Sequence, residues 1–354
     1  MSVDSIAMIA QPREAHWLGD LRSVRILRFG LGITLAMAIA FGFNWPLQLL
    51  LPVLTATLLG TKQPAPTLRQ GFITILQIAM AFSLGLVFSL FALAYPLVYV
   101  PTLGLVLFHI YYLLNRGGAP FFAIMLLLAV LLMPMMAQQV DALAIGIAAG
   151  FAGSAALAVG MQWLAHGIVP DPVDTRPNAK ASAGFQSGYS AAAAQNAVKS
   201  TLVVLPLAIL FIAERWTSQA LIIIFVAFYS VAPVLRASKH ASLTKLIANV
   251  GGGCAALVFY WLLVAVPEYY FLIALSLLSA LLFGAGMFSD KASAPYYAGA
   301  FSTLLILIST SMGAGADFGA NFWIRIGLVI MAGVYVVGAL SVLEHLWPAP
   351  DSTT

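Results

Sequence analysis

Long apolar runs, separated by short polar or Pro- and Gly-containing breaks, fill most of the chain. A helix that crosses a bilayer needs roughly 20 mostly apolar residues, and the runs approach that length. They are continuously apolar rather than alternating, which excludes a transmembrane β-barrel. We therefore predict an all-α polytopic membrane protein with about twelve transmembrane helices, near residues 26–43, 46–61, 70–94, 97–114, 119–137, 142–166, 199–213, 218–235, 245–266, 270–288, 295–313 and 322–345.

Prolines interrupt several of these runs and make their continuity uncertain. We expect one or two segments to be broken or re-entrant helices, and the runs concerned contain Pro52, Pro101, Pro134 and Pro206.

Composition agrees with a lipid environment. Of the 354 residues, 62% are hydrophobic and only 8% are charged, whereas a soluble domain carries about 25% charged residues. So few charges cannot cover a water-facing surface, and they are too sparse for the net charge of +4 to indicate nucleic-acid binding. The single cysteine, Cys254, excludes a disulfide framework within the chain.

The distribution of basic residues predicts the orientation. If the N-terminus lies in the cytoplasm and the loops alternate, every lysine and arginine except Arg215 and Arg325 falls on the cytoplasmic side. Cytoplasmic loops of membrane proteins carry such an excess of positive charge. We therefore expect both termini in the cytoplasm.

Repeated patterns indicate an internal duplication. The block NRGGAPFF at 115–122 resembles DKASAPYY at 290–297, and Arg28 and Trp45 have the same spacing as Lys199 and Trp216. Six spans in each half would give both halves the same orientation, as parallel repeats related by an axis along the membrane normal. The predicted organisation is an N-terminal cytoplasmic or interfacial segment at 1–25, a first repeat at 26–166, a cytoplasmic linker at 167–198, a second repeat at 199–346 and a tail at 347–354.

The equivalent residues of the two halves are the first candidates for ligand contacts. Arg28 and Lys199 could collect an anion where the halves meet, or they could be snorkelling anchors at the membrane surface. Trp45 and Trp216 could stack on an aromatic ligand, or they could belong to the aromatic belts of the interface.

The two repeated blocks are the second candidates. Pro120 and Pro295 suit the first turn of a helix, and the free N–H groups of that turn, beside Arg116 and Lys291, could hold a carboxylate. The alternative is a plain turn with two basic anchors.

Proton coupling has four candidate residues. Asp141 and Asp317 begin the sixth span of each half, and Arg325 lies about two helical turns beyond Asp317. His109 lies well inside an apolar span, and the ordinary pKa of histidine suits a proton relay. The alternatives are helix-start carboxylates favoured by the helix dipole, a structural ion pair, and a hydrogen-bonded core histidine.

Motifs for the main enzyme classes are missing from the sequence. It contains no GxxxxGK[ST] phosphate-binding loop, no HExxH motif and no paired-aspartate metal cluster. We therefore predict no enzymatic activity, no cofactor and no metal.

The stretch LRFGLGITLAMAIAFGFNWPLQLLLPVLTATLLG carries a family resemblance. Its basic residue, small-rich first span, Trp-Pro exit and proline in the second span resemble the fusaric acid resistance and aromatic acid exporter superfamily. The chain looks most like the short members without large cytoplasmic inserts, of the DUF2955 type. The resemblance is strongest over 22–170 and weaker over 196–347.

The resemblance implies an inner-membrane exporter of aromatic carboxylates or related toxic compounds in a Gram-negative bacterium, working with a periplasmic membrane-fusion adaptor and the proton gradient. Distantly related plant malate channels, with cationic pore residues, favour Arg28 and Lys199 as anion contacts. The expected partners are the lipid bilayer, a small organic anion, the adaptor and a second copy in a homo-oligomer. The alternatives are a passive anion channel or carrier, and a non-transporting membrane subunit or lipid-handling enzyme.

Overall fold

Twelve α-helices, and no strand, make up the part of the chain that the computed structural model describes, residues 20–61, 63–171, 188–216, 220–231, 235–311 and 318–346. Within these ranges a few side chains, mostly in 235–245 and 318–329, are not described. The helices are α1 Leu21–Gly42, α2 Leu50–Leu59, α3 Leu68–Ala92, α4 Pro96–Asn115, α5 Pro120–Ala137, α6 Asp141–Ile168, α7 Ala191–Ala213, α8 Ala220–Tyr229, α9 Leu235–Ala265, α10 Tyr269–Met287, α11 Ala294–Ser311 and α12 Phe318–Leu346.

Each predicted run corresponds to one helix, but several bounds differ. The run at 46–61 contains only the 10-residue α2, about 15 Å long at 1.5 Å per residue, because the backbone turns at Asn44 and Leu47, which have positive φ. By contrast, α9 is longer than predicted. It begins at Leu235 and includes the residues before 245 that were predicted to form a loop. That loop, 236–244, has no Pro or Gly, and five of its nine residues are Ala, Arg, Leu or Lys, which favour helices.

Prolines do not break the longer helices. Pro101, Pro134 and Pro206 all lie inside continuous helices, α4, α5 and α7 respectively. Neighbouring helices in a membrane bundle can compensate for the backbone bond that a proline removes.

Eight of the helices in the described part of the chain are long and apolar enough to cross a membrane. The outer surface of α3 illustrates why this is a multi-pass membrane protein rather than a soluble bundle. One face of α3 is exposed and mostly apolar, with Ser83 as a polar exception, while Gly71, Ile78, Phe82 and Gly85 are buried on the other. The large apolar residues of the exposed face are Phe72, Leu76, Met80, Leu84, Val87 and Phe91.

Helix contacts within the first six helices recur within the last six. In each set the third helix packs on the fifth and sixth helices, and the second packs on the sixth, giving the pairs α3–α5, α3–α6, α2–α6 and α9–α11, α9–α12, α8–α12. Two further contacts join the first six helices to the last six: α1 packs on α10, and α4 packs on α7.

The α1–α10 pair is antiparallel. The hydroxyl of Tyr269, at the start of α10, donates to the carbonyl of Ala38 near the end of α1, at 2.8 Å. At the opposite end, Arg22 Nη2 donates to the carbonyl of Ala285 at 2.8 Å. The start of α1 and the end of α10 therefore lie at the same end of the bundle.

The recurring α3–α5 and α9–α11 contacts both depend on glycine. A Cβ at Gly85 would lie 2.8 Å from the Cβ of Ala129 on α5, and one at Gly252 would collide with the carbonyl oxygen of Ala300 on α11. Small residues allow membrane helices to approach this closely.

Candidate functional site

Arg28 lies inside α1 rather than at its start, because α1 begins at Leu21. Asp20 caps the helix by accepting a hydrogen bond from the backbone N–H of Arg22. The side chain of Arg28 is buried, with the residue only 3% exposed. A cation in this position needs partners, since burying an unpaired charge is costly.

The segment that follows α6 supplies those partners. Arg28 Nε and Nη2 donate to the carbonyl oxygen of Val169 at 3.1 and 2.9 Å, and Nη2 donates to Oδ1 of Asp171 at 2.7 Å. The sequence VPDP explains why the helix ends here, because a residue that precedes proline disfavours helical backbone. Val169 and Asp171 both precede a proline.

A small pocket surrounds the Arg28 side chain, and we call it the Arg28 pocket. Its volume is about 10 Å³, which is roughly the room that one water molecule needs. Three parts of the chain line it: α1, the end of α2 with the following loop, and the last turns of α6. The lining residues are Arg25, Arg28, Leu58, Leu59, Thr61, Gln63, Gln162 and His166.

His166 is the residue of this pocket that the sequence interpretation missed. Its Nδ1 lies 2.8 Å from the carbonyl oxygen of Gln162, and its buried Nε2 has no hydrogen-bond partner among the described residues. The sequence favoured His109 because it lies inside an apolar run, whereas His166 lies near the end of one. The sequence pattern that could have identified His166 is its spacing of four residues from Gln162, which places two polar side chains on one face of α6.

Lys199 is also buried, at 4% exposure, but its surroundings differ from those of Arg28. It lies in α7, which begins at Ala191, inside the predicted linker. Within the described residues Lys199 has no hydrogen-bond or ion-pair partner, and α7 makes no contact with α1. The described contacts therefore do not bring the two cations together.

The two candidate tryptophans also differ. Trp45 is half-buried, and its Nε1 donates to the hydroxyl of Ser154 on α6 at 3.1 Å. Trp216 is exposed and packs edge-on against Phe211, with ring centroids 5.5 Å apart.

The repeated blocks form turns before α5 and α11. Pro120 begins α5 and Pro295 is the second residue of α11, as the sequence predicted. The Arg116 guanidinium lies 5.4 Å from the centroid of the Tyr112 ring, whereas Lys291 is exposed. No described contact brings either cation into the Arg28 pocket.

Two of the four candidates for proton coupling, His109 and Asp141, do not line that pocket. His109 is exposed, and its Nδ1 lies 2.7 Å from the carbonyl oxygen of Leu105 in its own helix. Asp141 is the exposed first residue of α6, a position that the helix dipole favours for a carboxylate. Asp317 and the side chain of Arg325 lie outside the described residues.

A family comparison covers the first six helices. Residues 25–165 match the model of a family described as a protein of unknown function, DUF2955. The matched region includes Arg28 and ends just before His166. This agrees with the predicted resemblance to short members of that type, while the wider resemblance to aromatic acid exporters stays a prediction. No curated protein and no solved structure matches the chain.

Proposed function

We propose that this protein is a membrane transporter that exports small organic carboxylates, aromatic acids foremost, and that Arg28 contacts the transported anion. The observation that carries the proposal is the 2.7 Å ion pair between Arg28 and the carboxylate of Asp171. A buried arginine that already holds a carboxylate has the geometry needed to hold a carboxylate ligand.

The chemistry of the pocket favours an oxygen anion. A guanidinium is permanently charged and offers a planar set of N–H donors that matches a carboxylate. Thr61, Gln63 and Gln162 line the same pocket and add uncharged hydrogen-bonding groups. Burial reduces the screening of the arginine charge by water, which strengthens its attraction for an anion.

The pocket in its described state is too small for an aromatic acid. Sites for small molecules usually enclose about 300–1,000 Å³, whereas the Arg28 pocket has about 10 Å³. We therefore assign the described arrangement to a closed state of the transporter, which must open for the anion to enter.

The helix contacts support a duplicated architecture as part of the proposal. The recurrence of the α3–α5 and α2–α6 contacts as α9–α11 and α8–α12 is what two related six-helix halves would produce. In transporters with repeats, the substrate path lies at the interface between them. The α1–α10 and α4–α7 contacts cross that boundary, and α1 carries Arg28.

The cellular setting follows from the family resemblance. We place the transporter in a bacterial inner membrane, with both termini in the cytoplasm, coupled to the proton gradient and acting with a periplasmic membrane-fusion adaptor. Assembly as a homo-oligomer belongs to the same proposal.

A growth test addresses the proposed activity in cells. A strain that lacks the gene is grown with a panel of aromatic acids, after complementation with the wild-type gene, R28Q or R69Q. Arg69 is an exposed cation on α3, so R69Q controls for the loss of one positive charge. We expect the wild type and R69Q to restore tolerance to at least one acid, and R28Q to fail. Equal tolerance with R28Q would contradict the role of Arg28.

Flux measurements separate a proton-linked exporter from the passive alternative. A membrane potential of 100 mV moves a monoanion outward with about 2.3 kcal/mol, so an uncoupled carrier could also export. Collapsing the pH gradient of proteoliposomes at constant potential should slow carboxylate flux if protons drive it. An unchanged flux would favour a passive channel, and no flux of any acid would favour the non-transporting alternatives.

A further inference from the structure

We propose that Asp171 is an internal ligand of the Arg28 pocket, and that a transported carboxylate must displace it. This inference rests on the proposed function and adds to it the group that sets the affinity of the site. The segment Val169–Asp171, which we call the strap, binds Arg28 through two oxygens, the Val169 carbonyl and the Asp171 carboxylate.

The strap presents its carboxylate from a restricted backbone. Pro170 has a fixed φ, and the prolines at 170 and 172 limit the backbone of the residues before them to extended conformations. The carbonyl of Val169, held by two hydrogen bonds from Arg28, anchors the strap one residue before Pro170. A ligand tethered in this way competes at a high effective concentration, on the order of millimolar or above.

The Arg28 pocket, whose lining does not include Asp171, has no room for an external carboxylate while Asp171 stays paired with Arg28. The space left beside Arg28 is about 10 Å³, enough for roughly one water molecule and no more. The exchange is therefore a replacement of one carboxylate by another on the same guanidinium.

The exposure of the two partners favours this exchange. The side chain of Arg28 is 4% exposed and that of Asp171 is 21% exposed. Asp171 can therefore return to water at a modest cost, while Arg28 stays buried and receives the incoming carboxylate. Removing Asp171 without a replacement would leave a buried charge unpaired, which is strongly unfavourable. The pair thus keeps the pocket closed when no anion is present.

Competition by the strap predicts that the pocket binds anions more tightly without the Asp171 carboxylate. The probe is benzoate, an aromatic monocarboxylate, and benzamide serves as its uncharged counterpart. Binding is measured by titration calorimetry on the full-length protein in detergent, for the wild type, D171N and D171E. E268Q is the matched control, because Glu268 is an exposed carboxylate at the start of α10, the end of the bundle opposite Arg28.

We expect D171N to bind benzoate at least about tenfold more tightly than the wild type. D171E and E268Q should resemble the wild type, and benzamide should bind none of them. A second variant, P170G, keeps the carboxylate but loosens the strap, and should tighten benzoate binding by a smaller factor. P170G also provides the test if D171N does not fold.

The outcomes distinguish this inference from the proposed function. Benzoate binding of equal or lower affinity in D171N, together with an unchanged affinity in P170G, would overturn the internal-ligand proposal and leave the transporter proposal standing. An absence of benzoate binding in the wild type and in both strap variants would overturn the proposed carboxylate site, and the strap proposal with it.

Discussion

Arg28 and Lys199 are both buried, yet only Arg28 has a counter-ion among the described residues. The two residues occupy matching positions in the sequence pattern of the two halves. In the structure they lie on helices that do not contact each other. A paired and an unpaired buried cation have different consequences for stability, because a buried charge without a partner is destabilising.

The first prediction compares the methionine variants of these two cations. R28M removes one member of an ion pair, which costs about 3–5 kcal/mol for a fully buried pair. We expect less, about 1–2 kcal/mol, because the remaining Asp171 is 21% exposed and can turn to water. K199M should be close to neutral, because it removes a cation that has no partner among the described residues. The free energy of unfolding in detergent is measured for both variants. A loss of stability in K199M as large as that in R28M would contradict the difference in pairing.

The second prediction concerns the close packing of α9 on α11. G252A places a methyl group against the carbonyl oxygen of Ala300 and should destabilise the protein by about 1–3 kcal/mol. The matched control is G251A, one residue earlier in the same helix, where an added methyl group has nothing within 4 Å. Thermal unfolding of the purified variants compares them, and equal midpoints would show that the helices are not in close contact here.

The third prediction separates the two candidate tryptophans. W45F removes the hydrogen bond to Ser154 and should cost about 1 kcal/mol of unfolding free energy. W216F should cost less than about 0.5 kcal/mol, because Trp216 is exposed and only packs against Phe211. The difference is measured by denaturant titration, and a larger cost for W216F would refute it.

The fourth prediction assigns proton dependence to His166 rather than His109. His166 shares the Arg28 pocket with two cations, Arg25 and Arg28. The residues of the α2–α3 loop that line the pocket, Thr61 and Gln63, are uncharged. The nearby carboxylate of Asp171 is paired with Arg28. Protonation of the unpartnered Nε2 of His166 would add a positive charge and a donor beside the anion. We therefore expect H166Q to flatten the pH dependence of benzoate flux on the acidic side of about pH 6.5.

The control for that measurement is H109Q, since His109 is exposed and bonded to its own helix. H109Q should keep the pH profile of the wild type. A profile that is lost in H109Q and kept in H166Q would reverse the assignment.

The pattern of long apolar runs was sufficient to place the twelve helices of the described residues, because each such run has few ways to satisfy its backbone in lipid other than a helix. It could not place α2 accurately, since the turn at Asn44–Leu47 depends on two residues with positive φ that are neither Gly nor Pro. The pattern also did not predict the extension of α9 to Leu235, because polar residues between two apolar runs are typical of a loop.

Sequence reasoning selected Arg28 as a candidate ligand contact from its place in the predicted repeat. It missed the residues that surround Arg28. Asp171 appeared only as part of a polar linker, and His166 only as the end of a span. His166 lines the Arg28 pocket and Asp171 pairs with Arg28 because α6 runs back to the start of α1 and Pro170 ends the helix there. Such a contact between positions 28 and 171 depends on tertiary packing, which a local pattern does not encode.

The most direct test of the central claim is carboxylate flux through purified protein. Benzoate efflux from proteoliposomes at a fixed membrane potential is compared for the wild type, R28Q, R28K and R69Q. We predict that R28Q lowers the initial rate at least about tenfold, a difference of about 1.4 kcal/mol. R28K, which keeps the charge but not the planar set of donors, should fall in between, and R69Q should match the wild type. Efflux through R28Q at the wild-type rate would contradict the claim that Arg28 contacts the transported anion.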